Sequence, residues 1–183
     1  MGEEAMRTLC SVTLEIAGPG LIVYSPFAMS AVKPGERFLE QHFSEPADVV
    51  AAVVAGRIAG FCTGSPGTYK IEFAQGAPDL PAIAGFPWMI RLALEVRDRT
   101  VCIRDLYDMS RWDPACPPSQ VIELPDGFYR LSVGTRPTDS GIVGDDQSIL
   151  IAFEPVDALP QLKWDGVPFL GDEDEYYEQA SDE

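Results

Sequence analysis

The stretch IRLALEVRDRTVCIRD, residues 90–105, decides the fold class. Ile90, Leu92, Leu94 and Val96 alternate with Arg91, Ala93 and Glu95, the period-two pattern of a half-buried strand. Arg97-Asp98-Arg99 is a polar break, and the pattern resumes with Val101 and Ile103 on the face opposite Cys102 and Arg104. Two strands joined by a three-residue loop predict a β-hairpin. The same grammar extends outward. Cys10, Val12, Leu14 and Ile16 alternate with Ser11, Thr13 and Glu15; Gly18-Pro19-Gly20 turns, and Leu21 to Tyr24 is a second short strand. Thr68 to Ala74 is a strand in which Tyr69, Ile71 and Phe73 share a face. Val121 to Leu124 and Phe128 to Val133 are partner strands across Pro125-Asp126-Gly127, and Ser148 to Phe153 is the last core strand.

Eight or nine short strands separated by Gly- and Pro-rich turns predict a mainly β domain, an antiparallel, jelly-roll-like β-sandwich. One short helix is expected over Val49–Ala55. Ser44 serves as its cap, Pro46 sits in the first turn, Asp48 lies near the positive end of the dipole, and Gly56 is the stop. Arg111 to Pro118 and the proline-rich stretch from Gly76 to Pro87 read as loops. The chain divides into a sandwich domain, 1–156, and a C-terminal extension, 157–183. Leu159, Leu162, Trp164, Val167, Phe169 and Leu170 are placed to pin that extension to the domain.

Charge is distributed unevenly. The 183 residues hold 29 acids and 13 bases, a net of −16. From Asp139 to Glu183 there are 13 acids against Lys163 alone, so this last quarter holds most of the excess. Such a balance argues against direct nucleic-acid binding, which needs a basic patch, and against an anionic membrane surface. No apolar run reaches the roughly 20 residues of a membrane helix. The acidic N-terminus is unlike a secretory signal, so a cytoplasmic protein is expected. The densest acidic run is Asp172, Glu173, Asp174 and Glu175, followed by Tyr176 and Tyr177. It reads either as a solvated tail or as an arm that meets a basic partner with the two tyrosines as anchors.

No catalytic constellation is legible. His42 is the only histidine, and no motif supplies it with a nucleophile and an orienting acid. Cys10, Cys62, Cys102 and Cys116 lack zinc-ligand spacing and read as reduced thiols. Asp139, Asp145 and Asp146 share one polar loop but lack the spacing of a calcium loop. Neither a P-loop nor a G-x-G-x-x-G motif is present, and no cofactor is expected. Among Trp88, Trp112 and Trp164, Trp112 lies in a proline-rich loop beside Arg111 and Asp113, which predicts a surface position and a contact role.

The middle of the chain, about residues 45–155, resembles the competence-protein J family, described as inhibitors of the DNA-entry nuclease, and the β-sandwich immunity proteins of bacterial toxin systems. The resemblance lies in the order of patterns: Val49 to Gly56, then Arg57-Ile58-Ala59-Gly60-Phe61, Tyr69 to Phe73, Ile90 to Val96, Thr100 to Arg104, and Val121 to Leu131 with its Leu-Pro-x-Gly-x-Tyr-x-Leu turn. It implies a non-enzymatic partner-binding protein, and no site residues carry over from the family, in which the extension 157–183 has no counterpart. The net charge adds a basic nuclease or toxin as the expected partner, and charge and composition, not the resemblance, single out Asp172, Glu173, Asp174, Glu175, Tyr176, Tyr177 and Trp112 as candidate contacts. A sandwich module that binds a small ligand, peptide or sugar stays open as an alternative, as do a carboxylate- or metal-dependent hydrolase and a homodimer formed through an edge strand.

Overall fold

The computed structural model describes residues 5–171. Nine strands form two sheets. β1 (Arg7–Ile16), β4 (Gly67–Gln75), β9 (Gln147–Val156), β8 (Gly127–Thr135) and β5 (Trp88–Val96) lie side by side in that order. β3 (Ile58–Cys62), β2 (Gly20–Tyr24), β6 (Thr100–Asp105) and β7 (Val121–Glu123) make the second sheet. The expected β-sandwich is therefore present, with one departure from an all-antiparallel arrangement. β4 and β9 run parallel, from Tyr69 opposite Gln147 to Gln75 opposite Phe153.

The core follows from strand alternation. Val12, Leu14 and Ile16 of β1, Tyr69, Ile71 and Phe73 of β4, Ile149, Ile151 and Phe153 of β9, and Leu92, Leu94 and Val96 of β5 are all buried. Tyr129 meets Phe153 edge-on at 6.0 Å, and Phe73 stacks on Phe153 at 6.2 Å, favourable aromatic geometries.

Neither short turn predicted as a hairpin is one. β5 pairs with β8 and β6 with β2 and β7, so Arg97-Asp98-Arg99 carries the chain from one sheet to the other. Pro125-Asp126-Gly127 does the same between β7 and β8. Alternation fixes which face of a strand is buried but is silent about its neighbour. The two corners are tied together: the Arg99 N–H donates to Asp126 Oδ1 at 2.7 Å, and its guanidinium to Glu123 Oε1 at 2.9 Å. Asp98 and Arg99 both have positive φ. The strands entering the large sheet after a corner share a device, a tyrosine hydroxyl donating to a carbonyl four residues back. Tyr69 reaches Ser65 O at 2.6 Å and Tyr129 reaches Pro125 O at 2.7 Å.

β3 escapes the sequence reading because Ala59 and Gly60 break its apolar pattern; it is an edge strand, buried on both faces. Three short helices cover the irregular regions: α1 (Phe38–His42), α2 (Pro46–Val54) and α3 (Leu80–Gly85). α2 is the expected helix, although Glu45 rather than Ser44 is its N-cap. The Asp48 carboxylate accepts the Glu45 N–H at 3.2 Å, closing a capping box. α3 lies in the proline-rich loop, where Asp79 Oδ1 accepts the Ala82 N–H. The segment 76–87 crosses the outer face of the large sheet, with Phe86 against Gly134.

Residues 157–171 dock on the domain through the apolar positions noted above. Leu170 is buried, the Trp164 indole N–H donates to Arg91 O at 3.0 Å, and Phe169 bridges to Cys62 along the open edge of β3. Cys62 donates to Pro168 O and accepts from Leu170 N, both at 2.8 Å.

Candidate functional site

One end of the sandwich gathers segments distant in sequence. β1 ends there at Ile16 opposite Gly67, β3 ends at Cys62 opposite Gly20, β6 ends at Asp105 opposite Leu21, and β9 begins at Gln147 opposite Tyr69. Asp105 joins the two sheets. Its carboxylate accepts the N–H groups of Ala17 at 2.8 Å, Gly18 at 3.1 Å and Tyr107 at 3.1 Å. Thr63 donates its N–H to Pro19 O at 2.8 Å. The loop 136–146 is held by Gln147, whose Oε1 accepts the Gly144 N–H and whose Nε2 donates to Thr135 Oγ1, each at 2.9 Å. Gly67 and Gly144 must both be glycine. Each has positive φ, and a Cβ on Gly67 would overlap the Gly144 carbonyl.

What this end shows to solvent is acidic and apolar. Asp108, Asp139, Asp145 and Asp146 are exposed. Tyr107 is 54 % exposed and Ile142 64 %, values that matter because large apolar side chains at a domain's rim are contact material. Lys70 is held by Asp146 at 3.2 Å, and Arg136 stacks on Phe86, 5.3 Å from the ring centre. Arg57, Arg97 and Arg99 lie toward the opposite end, where Gly56 O accepts Glu95 N–H and Ser25 is hydrogen-bonded to Arg97. Beside the acidic end, an apolar groove of about 290 Å³ runs between Ile22, Phe43, Val49, Ile58, Leu106 and Val167.

The acidic run Asp172–Tyr177 lies outside the described residues. Its root is placed: Leu170 is buried and Gly171 follows it, next to β3 and the groove. Asp139, Asp145 and Asp146 do not converge, and among the described residues no three His, Cys, Asp or Glu side chains gather at metal-binding distance. His42 is 3.5 Å from Glu36 Oε2 and packs on Phe38 with ring centres 4.8 Å apart. It borders a cavity of about 460 Å³ whose other walls are apolar, chiefly alanines with Phe38 and Phe43, apart from Asp48 and Arg57.

Trp112 is not at the surface. It is only 4 % exposed, with Tyr24 edge-on at 5.8 Å and the Arg104 guanidinium 5.5 Å from its ring. Its backbone explains the inward turn: the Trp112 N–H donates to Glu36 O and its carbonyl accepts from Gly35 N, both at 2.7 Å. Beneath it lies a polar knot that no sequence motif announces. Arg104 donates to Asp113 O at 2.6 Å and faces the Tyr24 hydroxyl, whose pKa burial pushes up. The Cys116 thiol donates to Gln120 O at 3.8 Å. Interaction between the neighbouring Cys102 and Cys116 thiols raises Cys102, with burial adding to the effect, and lowers Cys116 against its own burial, a direction the Arg104 charge also favours. Tyr107 was equally illegible, because nothing in Leu106-Tyr107-Asp108 separates an exposed tyrosine from a core one.

No family model matches the chain, and no curated protein matches it by sequence. Two solved structures share its fold. ComJ from Bacillus subtilis, an inhibitor of the DNA degrading activity of NucA, superposes with a TM-score of 0.53 at 13 % identity over 84 % of this chain and 100 % of that one. A protein described as crocagin biosynthetic gene J superposes with a TM-score of 0.57 at 9 % identity over 83 % of this chain and 99 % of its own. The resemblance to the competence-protein J family thus holds at the level of the fold and extends beyond residues 45–155.

Proposed function

We propose that the chain is a non-enzymatic inhibitor that docks its acidic end, with the tail rooted there, onto a basic protein partner such as a nuclease. The observation that carries this reading is the convergence on one end of Asp108, Asp139, Asp145 and Asp146, exposed Tyr107 and Ile142, and the root of the Asp172–Glu183 tail. ComJ, whose whole length is covered by this fold, is itself a nuclease inhibitor. A nuclease cleft is built to hold phosphate, and an acidic surface competes for it by charge while steering the encounter. Tyr107 supplies the desolvated contact that charge alone does not. In this reading residues 1–156 form the docking body, and 157–183 carry the arm in which Asp172, Glu173, Asp174, Glu175, Tyr176 and Tyr177 make contacts.

The test is capture from native lysate with the full chain and with a version ending at Gly171, at about 50 mM and about 500 mM salt, where screening differs several-fold in length scale. Any captured protein is then purified and its DNA-degrading activity titrated with each form. A basic nuclease captured at low salt, released at high salt and inhibited stoichiometrically supports the proposal. Inhibition that survives removal of the tail assigns the interface to the sandwich end instead. No captured partner whose activity falls refutes it.

A further inference from the structure

The outer face of the large sheet holds a second site, independent of the acidic end. Successive rows across β5, β8 and β9 read Arg91, Ser132, Ala152 and Ala93, Arg130, Glu154. Ala93 and Ala152 are small and fully buried, so the relief of this face is set by Arg91, Arg130, Ser132 and Glu154 around them. Two segments wall it: Ala77-Pro78 from the crossover and Pro160-Gln161-Leu162 from the extension. Together they leave an open cleft of about 520 Å³. The extension cannot drift from this position without breaking the bond from Trp164 to Arg91 O.

Three donors line the cleft. Ser132 is 99 % buried, and its hydroxyl has no hydrogen-bond partner in the protein. A buried hydroxyl without a partner is costly, and strand alternation turns this one toward the cleft rather than toward the core. The Arg91 guanidinium has no ion-pair partner among the described residues. The Arg130 guanidinium is shared with Glu154 Oε2 at 3.1 Å. Arg91 and Arg130 against Glu154 leave one uncompensated positive charge in a chain that is otherwise strongly acidic.

We propose that this cleft binds a monocarboxylate, its charge held by Arg91 with Ser132 donating and its apolar body against Pro78, Pro160 and Leu162. A planar guanidinium suits a carboxylate by bidentate pairing. Glu154 opposes a second negative charge, which disfavours a phosphate dianion. The carboxylate can belong to a small organic acid or to a peptide C-terminus, and the chemistry of capture is the same.

Four probes distinguish these sources on the full chain by ¹H–¹⁵N correlation spectroscopy: benzoate, benzamide, N-acetyl-prolyl-leucine and its C-terminal amide. Saturable shifts at residues 91, 130 and 132 with benzoate support a small-acid ligand. The same shifts with the peptide acid, at lower concentration than benzoate needs, support a peptide end. In either case Arg91→Gln weakens binding at least about tenfold and Ser132→Ala several-fold, as for loss of charge-assisted and neutral bonds respectively. Spectra of both variants must match the parent elsewhere. Amides that bind as well as the acids, an R91Q variant of unchanged affinity, inorganic phosphate binding more tightly than both acids, or no shifts at these residues would each overturn the proposal.

Discussion

Removing the Asp105 carboxylate should loosen the contact between the two sheets at the acidic end. The side chain accepts three backbone N–H groups, those of Ala17, Gly18 and Tyr107, and is itself buried. A hydrogen bond to a charged group contributes about 1.5–3 kcal/mol, and these three share two oxygens, so their sum is less than threefold. Asp105→Ala strands one buried amide, that of Gly18, and two part-buried ones, those of Ala17 and Tyr107. The expected loss is about 3–5 kcal/mol, a large part of the stability of a domain this size. Asp105→Asn keeps one acceptor oxygen but turns an NH₂ group toward the amide donors, and should lose about 2 kcal/mol. Asp145→Asn, exposed and without a side-chain partner, is the control and should stay within about 0.5 kcal/mol. The assay is urea denaturation with matched m-values, together with amide exchange at residues 17, 18 and 107. If Asp105→Ala does not fold, the Asn variant and its exchange rates decide. A loss below about 1 kcal/mol, or undiminished protection at those three amides, would falsify the assignment of Asp105 as the clamp.

Cys116 should be the fastest thiol to react with iodoacetamide, because its lowered pKa leaves more thiolate at neutral pH. Its rate should fall as pH drops through that pKa, while Cys10, Cys62 and Cys102, all raised, lag behind; equal labelling of the four by mass spectrometry contradicts this. Gly67→Ala should cost about 3 kcal/mol from positive φ and collision with Gly144, whereas Gly85→Ala, with open space around it, should be neutral or gain about 0.5 kcal/mol in thermal melts. Trp112→Ala should destabilise by about 3–5 kcal/mol, while Tyr107→Ala should leave the melting temperature within a few degrees and, on the proposed function, weaken inhibition of the captured nuclease. The opposite ranking would return Trp112 to the surface role its sequence context suggests.

Much of the sandwich is written locally. Val12-Thr13-Leu14-Glu15-Ile16 and Ile90 to Val96 place their buried faces by alternation alone, and both strands occur where expected. Pairing is not local. The Arg97-Asp98-Arg99 and Pro125-Asp126-Gly127 corners have the composition of hairpin turns, and only the lateral partner distinguishes a turn that folds back from one that crosses to the other sheet. β3 and α3 went unread for opposite reasons: Gly60 interrupts a genuine strand, and Pro81 disguises a genuine helix start, where its missing N–H costs nothing. At the acidic end the charge is visible in composition, but the placement of Tyr107, residues 139–146 and Leu170 at one end of the sandwich depends on strands that are distant in the chain. Trp112 misled because proline-rich context implies loop and loop implies exposure. Here the loop folds over a sheet face that already carried Arg104 and Tyr24.

The parallel pair of β4 with β9 bears on the order of synthesis. β9 lies in the middle of the large sheet yet leaves the ribosome last among its strands, 72 residues after the end of β4. At about 5–20 residues per second, β1 and β4 wait roughly 4–14 s with one side of β4 unpaired. β5 and the whole of β8 emerge during that time but cannot join β4 across the gap. Closure is thus postponed until β9 has emerged, when one strand fills a slot bounded on both sides. A nascent chain stalled before Gln147 would expose two open edges at once, the state in which a second copy, or a chaperone, competes for the place of β9.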